Sequence, residues 1–121
     1  MSWSDRRKYP RVDVKLQTVL EADLDLDGSD ALMSNLSLGG CCVFSDRPRK
    51  MGEVLDLRFE LGEGLGSVSA EGEIKWIKPI PSGEDGRKWA IGVLFTDISA
   101  PDLHALKAFL EEKIGAEMFS E

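Results

Sequence analysis

Val54-Leu55-Asp56-Leu57-Arg58-Phe59-Glu60-Leu61 decides the fold. Leu55, Leu57, Phe59 and Leu61 alternate with Asp56, Arg58 and Glu60. Successive side chains of a strand point to opposite faces, so a period of two marks a strand with one face buried and one wet. Gly52 opens this strand, and a Gly-rich turn (Gly62, Gly64, Gly66) closes it. The alternation then resumes. Val68, Ala70, Gly72, Ile74 and Trp76 are expected to share one face of a long strand, with Ser67, Ser69, Glu71, Glu73 and Lys75 on the other. After a loop over Pro79–Gly86, the apolar run Trp89–Phe95 is expected to be buried on both sides.

Upstream, Val14–Ala22 reads as a first strand, Asp27-Gly28 as a turn, and Ala31–Ser34 as a second strand. Cys41-Cys42-Val43-Phe44 reads as a short third, ended by Asp46, Arg47 and Pro48. One helix closes the chain. Ser99 suits its N-cap, Pro101 its first turn and Asp102 the positive end of its dipole. Leu103, Leu106, Leu110 and Ile114 make an apolar stripe flanked by Ala105 and Phe109, and Gly115 is the expected stop. Several short strands followed by one helix predict a small antiparallel barrel with the helix packed on it. The expected organisation is a single domain over 1–121: an arginine-bearing N-terminal segment at about 1–12, a barrel at about 13–97 and a helix at about 100–115.

The charge is uneven. The chain carries −7, yet residues 5–15 hold five cations against Asp5 and Asp13, a balance of +3 that leaves −10 on the rest. An acidic body lacks the broad basic face of a nucleic-acid binder, so neither DNA nor RNA is an expected partner. The start has no apolar core of a signal peptide, and no apolar run reaches the ~18 residues that cross a bilayer. A cytoplasmic location without membrane insertion is therefore expected. Cys41 and Cys42 are adjacent, which a strand sends to opposite faces, so two free packing thiols are expected rather than a disulfide.

Two stretches carry chemistry. Arg6-Arg7-Lys8-Tyr9-Pro10-Arg11 puts four cations in six residues. A guanidinium is a planar, permanently charged fork that can clasp a phosphate, pair with the O6/N7 edge of guanine or stack on a base. Arg7 and Arg11 would lie about 13 Å apart in extended chain, and a bend at Pro10 could bring both around one compact ligand. The bland alternative is a solvated basic tail. Asn35-Leu36-Ser37-Leu38-Gly39-Gly40 offers an amide, a hydroxyl and two glycines that permit positive φ and close approach of a ligand. Its alternative is a plain turn between strands.

Arg7-x-x-x-Arg11 before a first strand, followed by Asn35-x-Ser37-x-x-Gly40, resembles the two motifs of the PilZ domain, a bacterial receptor module for cyclic di-GMP. Gly52-Glu53-Val54-Leu55, Gly72-Glu73-Ile74-Lys75-Trp76 and Trp89–Phe95 are similar to later strands of that family, so the likeness covers roughly residues 5–112. It implies an all-β fold with one helix: a six-stranded antiparallel β-barrel of PilZ type with a C-terminal α-helix packed against it. It also implies a cyclic di-GMP site in which Arg7 and Arg11 hold guanine and phosphate groups, while Asn35, Ser37, Gly39 and Gly40 line the opposite side. Trp76 resembles a strand position that borders the ligand in some members; the alternative is a core tryptophan. Arg6 resembles an arginine of members that take two stacked ligand molecules.

The implied function is a second-messenger receptor. It would order its arginine segment on binding and, with little chain beyond barrel and helix, signal through a protein partner or oligomerisation. A PilZ-like adaptor that binds proteins without nucleotide is the rival, and a β-barrel stacking single-stranded nucleic acid fits poorly with nine aromatic residues and the acidic charge. No cofactor or metal is expected. Asp23-Leu24-Asp25-Leu26-Asp27-Gly28 copies the opening of a calcium loop, but its twelfth position is Ser34 instead of Glu. His104 is the sole histidine, and no nucleophile sits with a base, so no enzymatic activity is expected.

Overall fold

The computed structural model describes residues 11–22, 25–62, 64–81 and 88–118. Six strands are followed by a helix: β1 (Val12–Ala22), β2 (Asp25–Leu36), β3 (Gly40–Ser45), β4 (Val54–Glu60), β5 (Ser67–Pro79), β6 (Trp89–Ile98) and α1 (Ala100–Met118). They close into a barrel in the order β1-β2-β3-β6-β5-β4, with β4 returning to β1 and every pair antiparallel. Closure leaves no free sheet edge, so the backbone polar groups of a short chain are paired without outside help.

Alternation fills the interior. Leu55, Leu57 and Phe59 of β4 are buried while Val54, Asp56, Arg58 and Glu60 are exposed. They meet Leu20, Met33, Val43, Val68, Ile74 and Ile91 from the other strands. Phe59 and Phe95 stack with ring centroids 6.3 Å apart. The stripe Leu106, Phe109 and Leu110 of α1 joins the same core, and the helix lies against β5 and touches β1. Ser99 caps α1 as expected: its hydroxyl accepts from the Asp102 N–H at 3.4 Å, and its carbonyl from the Leu103 N–H at 2.8 Å.

Four expectations are corrected. Asp27-Gly28 is no turn: it lies inside β2, whose first pair with β1 is Ala22↔Asp25, so the chain reverses earlier. The long ladder with β1 outweighs the local preference of the dipeptide. Residues 25–34 of the calcium-loop look-alike are accordingly strand. Gly115 does not stop α1, which continues to Met118; an interior glycine costs a helix only ~1 kcal/mol against alanine. Leu103 leaves the apolar stripe and is 40% exposed. Trp76 leaves the face of Val68, Ala70, Gly72 and Ile74. The register of β5 on β6 runs Ile74↔Val93 and then Trp76↔Gly92, so Lys75 is an extra residue. Such a bulge reverses which side chains face inward, so Ile77 packs on the core and Trp76 does not.

A cation-lined groove on the barrel wall

The turn between β2 and β3 is built by one hydroxyl. Ser37 Oγ accepts from the N–H groups of Gly39 (3.1 Å) and Gly40 (3.2 Å) and donates to the Gly40 carbonyl at 3.3 Å. The Ser37 N–H donates to the same carbonyl at 2.9 Å. Serine at a turn supplies this local bonding, and Ser37 is buried in consequence. The turn is fastened to β6 where the Phe95 N–H donates to the Gly39 carbonyl at 2.9 Å.

Of the two reasons offered for the glycine pair, positive φ does not apply. The left-handed glycines among the described residues are Gly52, Gly62, Gly64 and Gly66, so Gly39 and Gly40 are not held by positive φ. Gly40 is required by proximity: a Cβ there would strike the Val93 carbonyl oxygen across the β3–β6 pair. Gly92 repeats the theme on β6. A Cβ at Gly92 would strike the indole of Trp76, so its bare backbone is the seat on which the turned-out tryptophan rests. The Lys78 ammonium lies over the indole ring, 5.4 Å from its centroid.

These features border one groove of about 470 Å³. Ser37, Leu38, Gly39 and Gly40 form its floor at the turn, with Cys41 and Cys42 beyond. Trp76 and Lys75 enter from β5, Gly92 to Phe95 from β6, Leu103 and Lys107 from α1, and Arg11 from the residue before β1. Arg11, Lys75 and Lys107 bring three cations, and no carboxylate lines the groove among the described residues. Lys75 is paired with Glu73 at 2.9 Å. On an acidic chain this local sign favours an anionic guest. A second cavity, of about 410 Å³, is its electrical opposite: Glu21, Asp56, Glu71, Asp97 and Asp102 line it against Arg58 alone.

Of the residues singled out in sequence, Arg11, Ser37, Gly39, Gly40 and Trp76 come together in the groove. Asn35 sits in β2, half-buried, paired with Asp13 on β1 and Cys42 on β3, and is not among the groove-lining side chains. Arg6 and Arg7 lie outside the described residues. Gly92, Lys75, Leu103 and Lys107 were missed. A glycine inside an otherwise apolar strand does signal close approach, so Gly92 was readable; the other three carried no motif.

Both thiols are free and buried. Burial, and then the neighbouring Cys42, pushes the Cys41 thiol far above its ordinary range. Burial also pushes Cys42 up, partly offset by Ser34, the nearby charge of Arg11 and the Ile91 backbone. Neither is disposed to act as a thiolate nucleophile.

With the barrel, the helix and the Ser37–Gly40 turn in place, the family follows. The PilZ domain model matches residues 5–112, and the chain belongs to the PilZ domain family. No curated protein matches it. Among solved structures it is similar to the Bacillus subtilis inhibitor of motility, MotI/DgrA, at 25% identity and TM-score 0.74, covering 96% of this chain and 53% of that one. K. pneumonia MrkH in its apo state matches at 15% identity and TM-score 0.75, over 93% of this chain and 52% of that one. The chain thus spans about half the length of these two relatives. The PilZ domain of Escherichia coli YcgR, solved with c-di-GMP, matches at 16% identity and TM-score 0.69, over 93% of this chain and 96% of that one. No helix among the described residues is long and apolar enough to cross a membrane.

Proposed function

We propose that this chain is a cyclic di-GMP receptor whose ligand lies in the groove at the Ser37–Gly40 turn. The observation that carries the reading is the groove's charge: three cations, one of them paired with Glu73, and no carboxylate in the lining, among the described residues, on a chain of net charge −7. Its volume of about 470 Å³ is in the range of about 300–1,000 Å³ usual for small-molecule sites. Arg11 lines it, and Arg7, four residues earlier in the sequence, would supply the second arginine. Two guanidinium forks match the phosphates and the guanine O6/N7 edges of this ligand. The floor offers backbone edges near Gly39 and Gly40, and Trp76 offers an aromatic border. The lining holds no histidine and no carboxylate for acid–base work among the described residues, which favours a receptor over an enzyme. Binding would draw the segment that carries Arg6, Arg7 and Arg11 onto the barrel and alter the surface shown to a protein partner.

Calorimetric titration with cyclic di-GMP tests this. Binding in the micromolar range or tighter, about −8 kcal/mol or better, is expected. Arg7→Ala and Arg11→Ala should each weaken it by about 1.5–3 kcal/mol with the barrel still folded. Cyclic di-AMP should compete poorly, since adenine presents an amino group where guanine presents O6. No heat at high micromolar ligand would favour a protein-binding adaptor instead. The same titration reads stoichiometry: two ligands per chain, reduced by Arg6→Ala, would assign Arg6 to a stacked pair.

A further inference from the structure

One wall of the groove does not come from the barrel. Leu103 and Lys107 of α1 both line it. They are four residues apart, so they stand one above the other on a single flank of the helix. The adjacent flank, with Leu106, Phe109 and Leu110, is the stripe buried in the core. The helix therefore presents one side to the barrel interior and its neighbouring side to the groove. Leu103, one of few large exposed apolar side chains, spends its exposure there. Lys107 is exposed and brings the third cation of a lining without carboxylates among the described residues.

We propose that Lys107 contacts a phosphate of the bound nucleotide and thereby couples occupancy of the groove to α1. The inference rests on the receptor reading above. Arg11 and Lys107 belong to opposite ends of the described chain, and both border one groove. A dianionic guest between them would be held from both. Lys75, the remaining cation of the lining, already has Glu73 as partner, which leaves Lys107 the better placed to answer a phosphate. The helix is anchored to the barrel by a short stripe on β5 and β1, so a new tether at its second turn would steady it relative to β6. The site's output would then include the position and rigidity of α1 as well as the N-terminal arginines.

The test uses the full chain with cyclic di-GMP, in calorimetry and hydrogen exchange. Lys107→Ala should weaken binding about fivefold to tenfold, the scale of one charge-assisted contact at a solvent-open site. Lys107→Glu should weaken it further, and Lys107→Arg should restore it. Melting temperature without ligand should not move, because the side chain is exposed. In the wild type, ligand should slow amide exchange across residues 103–110, and Lys107→Ala should abolish that slowing while Arg11 still supports binding. Wild-type affinity in both Lys107→Ala and Lys107→Glu would overturn the contact. Weaker binding with helix protection unchanged would overturn the coupling. A wild-type chain that binds no nucleotide would overturn the receptor reading itself, a result distinct from either.

Discussion

β4 and β5 are neighbours that begin alike and end differently. Along β4 every odd residue from Leu55 to Phe59 is buried and every even one exposed. β5 keeps the same rhythm through Val68, Ala70, Gly72 and Ile74, then gains Lys75 and turns Trp76 out of the core. The two strands pair from Glu60↔Ser67 to Val54↔Glu73. Where that ladder ends, β5 is free to bulge, and the bulge is where it meets the groove. Regular pairing on both sides serves the core; release from one partner makes room for a binding surface. The barrel thus keeps most of its core and its proposed site on different stretches of the same sheet, with Cys41 and Val93 shared by both.

Phe59→Ala should produce the largest effect on stability. Phe59 is fully buried near the end of the regular strand and stacks on Phe95. The cavity left behind should cost about 3–5 kcal/mol in denaturant unfolding. Cyclic di-GMP affinity of the remaining folded protein should fall far less than stability, because Phe59 does not line the groove and reaches it only through Phe95. If affinity instead fell in step with stability, the core and the site would not be separable in the way the strand comparison implies.

Gly92→Ala should come next. Its Cβ would enter the space of the Trp76 indole. Overpacking of this kind costs about 1–3 kcal/mol. Here stability and affinity should both fall, since the indole must shift and it borders the groove. Adding Trp76→Ala should recover part of the stability lost to Gly92→Ala, because the clash disappears, without recovering affinity. Additive losses in the double variant would mean that Trp76 does not rest on Gly92.

The regular half of this comparison was legible in the sequence and the irregular half was not. Leu55, Leu57 and Phe59 announced their strand because the period was unbroken. The Lys75 bulge left no mark, since one inserted residue changes register without changing composition, and so Trp76 read as the next member of the inward series. Leu103 was misread for a related reason: helical spacing fits it to the stripe, but periodicity cannot tell which flank meets a barrel and which meets a groove. Asp27-Gly28 failed because a local turn preference lost to a long strand pair. The Ser37–Gly40 turn was found by its motif, although one physical reason differs: Gly40 is needed for close approach to Val93, where freedom to take positive φ had been offered beside room for a ligand. Arg11 was found the same way, while the cations of β5 and α1 became visible only once the chain was folded.

The smallest expected effect tests the bulge most directly. Trp76→Phe keeps an aromatic ring and removes the indole N–H and part of the surface. A half-buried residue outside the core cluster should tolerate this with under about 1.5 kcal/mol of lost stability. Cyclic di-GMP affinity should fall by about 0.5–1.5 kcal/mol, the scale of a stacking or edge contact between aromatic groups. Tryptophan emission gives a second reading. The chain holds three tryptophans, Trp3, Trp76 and Trp89, and Trp76 lines the groove. Ligand should therefore change the emission of the wild type, and most of that change should vanish in Trp76→Phe. A loss of several kcal/mol with affinity and ligand-dependent emission intact would put Trp76 back among the core residues and leave β5 no different from β4.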